Sequence, residues 1–311
     1  MTTLVADIGG TNTRVALCDT PDTPRGVARF RNADFTALDD VLRQYLAQAG
    51  SPTISAACVA VAGPVRGGVG RMTNLNWFMD AATLRAATGA AQAFVINDLE
   101  AQGHALDDVQ TRLLMGGAPD RDAGPRLVVG LGTGFNAAPV HAAAGTTRVH
   151  VVPSECGHIS LPAWNAETVA LSRALADRHG FASVEEALSG RGLLAVNAHR
   201  AGADAHTTTE ALLAALGTAP TPSDHATATM FCRILGHVLG DLALIHLPWG
   251  GIYLIGGLAR AMAPFFDAHG LPEAFHDKGR FATFMRDFSL CLVEDDYAAL
   301  TGCARYALRH V

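Results

Sequence analysis

The sequence predicts an α/β fold in which one structural unit occurs twice. The segment at 4–19, LVADIGGTNTRVALCD, is typical of a strand, a glycine turn and a second strand. The same succession returns at 126–141, where GLGTGFN joins two apolar segments. A nearly continuous apolar run at 54–62 indicates a strand buried on both faces, as in a parallel sheet between helices. These three observations predict a duplicated β-hairpin–β–α–β module.

Length and composition bound the class of protein. The 311 residues are enough for about two domains, and the hydrophobic fraction of 49% is that of a globular protein. The net charge of −6 disfavours non-specific binding to nucleic acid or to anionic membranes. Six scattered cysteines without a C-x-x-C pair indicate reduced thiols in the cytoplasm. Polar or charged residues interrupt each apolar run, so we expect no membrane span.

A single lysine narrows the chemistry. Lys278 is the only one among 23 Lys and Arg residues, and no G-K-[ST] sequence exists. A Walker-type phosphate loop requires the lysine of a G-K-[ST] sequence. Phosphate binding must therefore use backbone N–H groups, hydroxyls, arginine or a metal ion.

Further elements follow in order from periodicity and turn residues. A helix over 36–49 begins at Thr36, which pairs with Asp39 in a capping box, and Asp80 caps a helix over 81–88. The remaining predicted strands lie at 27–31, 93–96, 252–255 and 290–293, and the remaining predicted helices at 99–106, 164–179, from 189 onward, at 225–247 after a loop at 221–223, after the Gly256-Gly257 turn, and at 298–309.

The first glycine turn carries candidate ligands. Gly9 and Gly10, with the Thr11 and Asn12 side chains, form a cradle suited to phosphate oxygens. Asp7, at the strand end, is placed to hold a magnesium ion through water. A plain hairpin with a glycine turn explains the same residues.

A carboxylate follows the apolar strand at 93–96. Asp98 is expected at the carboxyl edge of a sheet, where open α/β folds bind ligands. Phosphoryl transfer needs one fixed group to take a hydroxyl proton, and Asp98 is our candidate for that general base. The alternative is that Asp98 is simply the N-cap of the helix at Leu99.

Eight motifs in order give the sequence a specific resemblance. The chain resembles bacterial glucokinases of the proteobacterial type, related to the ROK sugar kinases and the hexokinase–actin–Hsp70 superfamily. The motifs are DIGGTNTRVALCD (7–19), MTNLNW (72–77), INDLEA (96–101), GLGTG (130–134), ECGH (155–158), LSGRGL (188–193), LIGGL (254–258) and DKGRF (277–281).

The resemblance implies a fold and an activity. The fold is a two-domain ribonuclease H-like fold of the actin/hexokinase type with a cleft between the domains. A small α/β domain would hold residues 1–108 with 297–311, and a large one 109–296. The activity is ATP-dependent phosphorylation of glucose at the 6-hydroxyl to glucose 6-phosphate, a step of glycolysis, in a cytoplasmic homodimer with no nucleic-acid or membrane partner.

Individual residues are implied in the same way. ATP and Mg²⁺ are the implied cofactors, and no zinc is expected because no cysteine cluster follows His158. Glu186 is an alternative to the adjacent Glu185 as a sugar-binding residue. The implied sugar-binding residues are Asn97, Asp98, Glu155, His158 and Glu185; the implied nucleotide-binding residues are Asp7, Gly9, Gly10, Thr11, Asn12, Gly132, Thr133, Gly134, Gly256 and Gly257.

Three residues depart from the family pattern. Asn136 and Cys156 stand where the family has glycine, and Glu100 stands where it has threonine. We expect Asn136 to adopt a positive φ, which asparagine tolerates. We expect Cys156 to narrow its loop or to make activity thiol-sensitive, and Glu100 to raise the pKa of Asp98.

Three alternative functions are weighed. A kinase for fructose, mannose or an N-acetylhexosamine fits the same motifs. A non-catalytic sugar sensor is a second alternative, although the helix-turn-helix of ROK repressors has no counterpart before the first hairpin. A Rossmann oxidoreductase fits poorly, because Phe135 occupies the third glycine position of G-x-G-x-x-G.

Overall fold

The structure is a computed structural model that describes residues 2–20, 23–72, 75–142 and 149–310. Residues 73 and 74 of the MTNLNW motif therefore lie outside the described part. The strands are β1 (Thr3–Ile8), β2 (Asn12–Cys18), β3 (Pro24–Arg31), β4 (Ala56–Val61), β5 (Val65–Arg66), β6 (Val69–Arg71), β7 (Phe78–Met79), β8 (Gln92–Asn97), β9 (Thr111–Met115), β10 (Arg126–Leu131), β11 (Phe135–Ala142), β12 (Val149–Val151), β13 (Ile252–Ile255) and β14 (Leu290–Val293). The helices are α1 (Leu38–Gln48), α2 (Ala81–Thr88), α3 (Asp98–Ala105), α4 (Ala166–His179), α5 (Gly190–Ala201), α6 (Thr209–Thr218), α7 (Pro222–His246), α8 (Gly257–Met262), α9 (Leu271–His276) and α10 (Ala298–His310).

The described residues divide into two compact units. Unit 1 is drawn from Met1–Gln110, Ala142–Pro153 and Asp295–Val311, and unit 2 from Thr111–His141 and Ser154–Glu294. The outer bounds lie within two residues of the domain bounds implied by the resemblance. The segment Ala142–Pro153, which that division assigned to the larger domain, groups with unit 1.

The sheet of unit 1 has the strand order β3-β2-β1-β4-β8. β1 is antiparallel to β2 and parallel to β4, and β4 is parallel to β8. All six residues of β4 are buried, as expected for the central strand of a sheet covered on both faces. The hairpin predicted at 4–19 and the buried strand predicted at 54–62 are therefore confirmed.

Alternate residues of β1 point to different helices. Leu4 and Ile8 belong to a core that includes residues of α1 and α2. Val5 belongs to a second core that includes Ala101 of α3 and Cys303 of α10. The period of two along a strand therefore gives each face of the sheet its own helical layer.

Helix α10 packs directly on the backbone of α3. A Cβ atom at Gly302 would lie 1.7 Å from the carbonyl oxygen of Ala101, so only glycine fits there. Arg305 forms an ion pair with Asp108, just beyond the end of α3. This contact fixes the position of α3 within unit 1.

Unit 2 contains a second mixed sheet. Within this unit the strand order is β11-β10-β13-β14-β9. β10 is antiparallel to β11 and parallel to β13, and β13 is parallel to β14. The strand, glycine turn and strand predicted at 126–141 are confirmed, and α5 and α6 fall in the region predicted as helical from 189 onward, whereas β9 and the helix α9 have no counterpart in the sequence analysis.

Helix α7 differs from two predictions of the sequence analysis. It is long and apolar enough to span a membrane by length and composition, contrary to the expectation that no segment would be. However, 72% of its most apolar window is buried inside the protein, as in a core helix. It also begins at Pro222, with Thr221 as the N-cap, where we predicted a loop.

The predicted cap of α1 is wrong in detail. Ala37 precedes the helix, and no side chain caps it. The Thr36 hydroxyl donates to the carboxylate of Asp40 at 2.7 Å rather than pairing with Asp39. By contrast, Asp80 caps α2 in a complete capping box, as predicted.

The close packing of α10 on α3 yields a stability prediction. In Gly302→Ala the new methyl group meets a backbone oxygen that no rotamer change can move. We expect the free energy of unfolding to fall by at least about 2 kcal/mol, measured by urea denaturation.

The matched control is Gly217→Ala in α6. A Cβ there meets nothing within 4 Å, so the change should leave stability equal or slightly increased. Equal stability of Gly302→Ala and the wild type would contradict the close approach.

Candidate functional site

The first glycine turn is held from within by a buried asparagine. Asn32, which the sequence analysis did not identify, is 1% exposed. Its Nδ2 donates to the carbonyl oxygen of Gly9 at 2.8 Å, and its backbone N–H donates to that of Thr11 at 2.9 Å. The Thr13 hydroxyl donates to its Oδ1 at 2.8 Å. The turn at residues 9–12 therefore has a fixed shape without any ligand.

Asp7 lies one residue before the end of β1. Its side chain is 21% exposed, and its Oδ2 is 3.4 Å from Nη1 of Arg14. Burial raises the pKa of Asp7, and the Arg14 guanidinium partly opposes that shift. The same Arg14 nitrogen donates to the carbonyl oxygen of Asp296 at 3.3 Å. Arg14 is therefore a restrained partner for the Asp7 carboxylate.

Parallel register brings several predicted residues of unit 1 to one sheet edge. Ile8 pairs with Val61, and Val61 pairs with Asn97. The turn after β1, the loop after β4 and the start of α3 consequently lie side by side. The Asn97 Nδ2 donates to the carbonyl oxygen of Gly63 at 3.0 Å, which ties two of these segments together.

Asn97, not Asp98, is the N-cap of α3. Its Oδ1 accepts from the N–H groups of Leu99 at 3.0 Å and Glu100 at 3.4 Å. The Glu100 carboxylate accepts from the Asn97 N–H in return, and burial raises the pKa of Glu100. The alternative interpretation of Asp98 as the cap is therefore wrong.

Asp98 is the first residue of α3 and is half-buried. Its Oδ1 accepts from the Leu99 N–H at 2.9 Å. A carboxylate has further acceptor positions on its two oxygens, so it can accept other hydrogen bonds besides this one. With Asn97 supplying the cap, the helix does not need Asp98 for that purpose.

The glycines of the second glycine turn, and those of the Gly256-Gly257 turn after β13, are of two kinds. A Cβ at Gly134 would lie 2.5 Å from Oε2 of Glu185, and one at Gly256 would lie 2.3 Å from the carbonyl oxygen of Leu131. Backbone packing therefore requires Gly256, whereas a side chain at Gly134 would displace the Glu185 carboxylate. At Gly132 and Gly257 a Cβ would meet nothing within 4 Å, so packing does not explain them.

Two adjacent glutamates of unit 2 share Arg191 and differ in their other partner. Glu185 accepts from the Phe135 N–H at 2.9 Å through Oε2 and from Arg191 at 2.7 Å through Oε1. Glu186 pairs with Arg191 at 3.0 Å and with His179 at 3.5 Å. Hydrogen bonding from Arg191 lowers the pKa of Glu186. Glu185 is thus the glutamate directed to the glycine turn, and Arg191 is a site residue that the sequence analysis missed.

The segment at 154–158 packs against that turn. A Cβ at Gly157 would lie 1.9 Å from the carbonyl oxygen of Phe135, so the two backbones are in direct contact. The Gly157 carbonyl oxygen accepts from the Glu185 N–H at 2.8 Å. Glu155 and His158 are exposed on the same segment. The structure therefore brings these two residues together with Glu185 and the turn at 132–134.

The structure contradicts the expectation for Asn136 and bears on the expectation for Cys156. Asn136 lies in β11, and among the described non-glycine residues positive φ occurs at Ser51 and Leu247, not at Asn136. The expectation of a positive φ is wrong, because Asn136 continues the strand. Burial raises the pKa of the half-buried Cys156 thiol, which makes its reactive thiolate scarce and weighs against thiol-sensitive activity.

Within the described ranges, no group of three or more His, Cys, Asp or Glu side chains is placed to hold a metal ion.

The single lysine of the chain is bonded to other residues of the protein. Lys278 donates to Asp241 at 2.6 Å and to the carbonyl oxygen of His237 at 3.1 Å.

Comparison with known proteins identifies the family of the chain. A family model described as Glucokinase matches residues 4–310. The glucokinase of Chromobacterium violaceum is 33% identical over 317 residues, which cover 99% of this chain and 90% of that protein.

Solved structures give the same result for the fold. The crystal structure of a glucokinase from an Antarctic psychrotroph matches with a TM-score of 0.85 and 30% identity over 99% of both chains. A ROK family glucokinase from Streptomyces griseus, solved in complex with glucose and AMPPNP, matches with a TM-score of 0.66 and 16% identity over 99% of this chain and 100% of that one. The chain belongs to the glucokinase family.

Proposed function

We propose that this chain catalyses the ATP-dependent phosphorylation of glucose at its 6-hydroxyl, with glucose 6-phosphate and ADP as products. The observation that carries the proposal is the half-buried Asp98 carboxylate, fixed at the end of β8 by a helix that it does not itself cap. Family membership over residues 4–310 supports the same reaction and favours neither another hexose nor a non-catalytic sensor.

Asp98 is the proposed general base. Its carboxylate takes the proton of the sugar 6-hydroxyl while that oxygen forms a bond to the γ-phosphorus of ATP. The bond from the γ-phosphorus to the bridging oxygen breaks, and its electron pair leaves with ADP. Asn97 contributes by positioning, because its contacts with Gly63 and the first turn of α3 hold Asp98 in place.

The proposed sugar ligands offer both donors and acceptors. Glu155 and His158 lie on the segment at 154–158 of unit 2, which is hydrogen-bonded to Glu185. In unit 1, Asn97 has a second Nδ2 proton besides the one that it donates to Gly63. Hydroxyl groups donate and accept, so these side chains suit a pyranose. A site built to bind hydroxyls rejects analogues that lack them.

The proposed nucleotide ligands are mostly backbone groups. Gly9, Gly10, Thr11 and Asn12 would bind phosphate oxygens in unit 1, as would Gly132, Thr133 and Gly134 in unit 2, and Gly256 and Gly257 would lie against adenosine. Open space at Gly132 and Gly257 supports this assignment, because a bare backbone admits the close approach of a ligand.

Magnesium would be held by Asp7 through water. Mg²⁺ is commonly bound by one or two carboxylates together with substrate phosphates, so a lone carboxylate beside a phosphate turn fits the ion. The ion would neutralise charge on the phosphates. Asp7, with Arg14 restraining it, would orient the coordinated water.

We further propose the finer architecture implied by the family. The two sheets share an antiparallel hairpin followed by two parallel strands, β1-β2 with β4 and β8, and β10-β11 with β13 and β14, which supports a duplicated ribonuclease H-like module. A homodimer and a cytoplasmic location are proposed on the same resemblance, and the six free cysteines fit that location.

Asp98→Asn tests the general base. We expect kcat to fall by about 10² to 10⁴, because the amide cannot accept the proton. Glucose affinity, measured by calorimetry, should stay within about tenfold, and the melting temperature should stay close to that of the wild type because Asn97 caps α3.

The matched control is Asp39→Asn in the first turn of α1, which should leave kcat unchanged. An Asp98→Asn protein that melts normally and keeps more than about a tenth of the wild-type rate would refute the assignment.

Gly132→Ala tests the phosphate cradle. The methyl group meets no protein atom within 4 Å, so the melting temperature should not change. The KM for ATP should rise by about tenfold through crowding of the phosphates, whereas the KM for glucose should not. Gly117→Ala, also without neighbours within 4 Å, is the control. An unchanged KM for ATP would remove Gly132 from the cradle.

Asp7→Asn separates function from stability. The folded-state pKa of Asp7 is raised, so its ionisation destabilises the fold at neutral pH, and below the ordinary value of 3.8 that penalty is absent. The variant should melt at an equal or higher temperature at pH 7, with no gain below pH 3.8. Its activation by Mg²⁺ should weaken while glucose binding persists. A lower melting temperature at pH 7, or unaltered Mg²⁺ dependence, would contradict this role.

A further inference from the structure

The Asn136 amide holds one end of the segment that bears Glu155. Its Nδ2 donates to the carbonyl oxygen of Ser154 and lies 3.4 Å from Oε2 of Glu155. Its Oδ1 accepts from the Cys156 N–H at 3.0 Å. One side chain on β11 therefore contacts three consecutive residues, which we call the 154–156 segment.

The amide is itself held in one orientation. Oδ1 also accepts from the N–H of Ala137 at 2.9 Å, so its position relative to β11 is set. The Ser154 hydroxyl donates to the carbonyl oxygen of Ala137, which adds a second tie between the strand and the segment. Reversing the amide would place a donor against the Cys156 N–H and an acceptor against the Ser154 carbonyl. The contacts therefore specify the amide group and not merely a polar side chain.

Cys156 belongs to the same cluster. Its Sγ lies 3.5 Å from Oδ1 of Asn136. The two residues that replace glycine in the family pattern thus touch each other. A contact of this kind is available only when both side chains are present.

We propose that Asn136 is a positioning residue for sugar recognition, which fixes the 154–156 segment so that the Glu155 carboxylate is presented to the sugar in one orientation. The inference rests on the proposed function, in which Glu155 contacts glucose. Glu155 is exposed, and in the part of the chain that the structure describes its side chain hydrogen-bonds to the Asn136 Nδ2. Removal of the amide should therefore impair glucose binding more than turnover or ATP binding.

The charges predict an order among variants. Asn136→Ala removes the contacts and leaves Glu155 without restraint. Asn136→Asp keeps the size of the side chain but places a carboxylate against the Ser154 carbonyl oxygen and the Glu155 carboxylate, so it adds repulsion. We expect the KM for glucose to rise about tenfold in Asn136→Ala, as for the loss of one or two hydrogen bonds, and further in Asn136→Asp. The values of kcat and of the KM for ATP should change by less than about twofold.

The experiment measures both KM values, kcat and the melting temperature in these two variants, in Glu155→Gln, and in Asn136→Ala combined with Glu155→Gln. Asn165→Asp is the matched control, because it makes the same charge change at the N-cap of α4, where aspartate caps as well as asparagine. It should behave as the wild type. If Asn136 acts through Glu155, the double variant should raise the KM for glucose little beyond Glu155→Gln alone.

The outcomes distinguish a failure of the proposed function from a failure of the inference about Asn136. An unchanged KM for glucose in Glu155→Gln would refute the sugar-binding role of Glu155 in the proposed function. A raised KM in Glu155→Gln with a normal KM in Asn136→Ala would overturn the inference alone. Fully additive effects, or equal losses in glucose KM, ATP KM and melting temperature, would make Asn136 an ordinary structural residue and would also overturn it.

Discussion

The parallel pairing of β1, β4 and β8 is the constraint on which the candidate chemistry of unit 1 depends. Parallel strands end at the same sheet edge, so three segments that are distant in sequence emerge together there. Asp7 lies one residue before the end of β1, Gly63 lies two residues beyond β4, and Asp98 directly follows β8. A shift of one residue in any of the pairings would turn the side chains of that strand to the opposite face and separate these groups. Alternate residues of β1 belong to two different cores, so a shift of β1 would also exchange their packing partners.

Local sequence pattern was sufficient for the two hairpins and for several of the helices, but not for the roles of the residues at the ends of these elements. The strand–turn–strand units at 4–19 and 126–141 follow from alternating apolar runs and glycines. The cap of α3 does not, because Asn97 and Asp98 are both good capping residues and only the backbone geometry chooses between them. Likewise, the sequence cannot distinguish Gly134, which lies against the Glu185 carboxylate, from Gly132, which faces open space.

The residues that escaped sequence analysis act through contacts that form only when the chain is folded. Asn32 holds a turn 21 to 23 residues earlier, and Arg191 joins two glutamates to the start of α5. Asn136 was noticed as a departure from a pattern, but its contacts with the 154–156 segment depend on two chain segments meeting in unit 2. A single sequence contains no signal for such meetings. The pairing of Asn136 with Cys156 is the nearest to one, since both replace glycine.

Helix α10 has a consequence for the order in which unit 1 is completed. The face of its sheet that bears Val5 and Cys58 is covered by residues 299–307, and Gly302 is the residue on which α3 rests. These residues follow α3 in the chain by the whole length of unit 2. During synthesis on the ribosome, the helix that begins with Asp98 therefore exists for a long interval without its packing partner. We therefore expect the nascent chain to be cleaved by proteases near α3 until residues 298–310 have emerged.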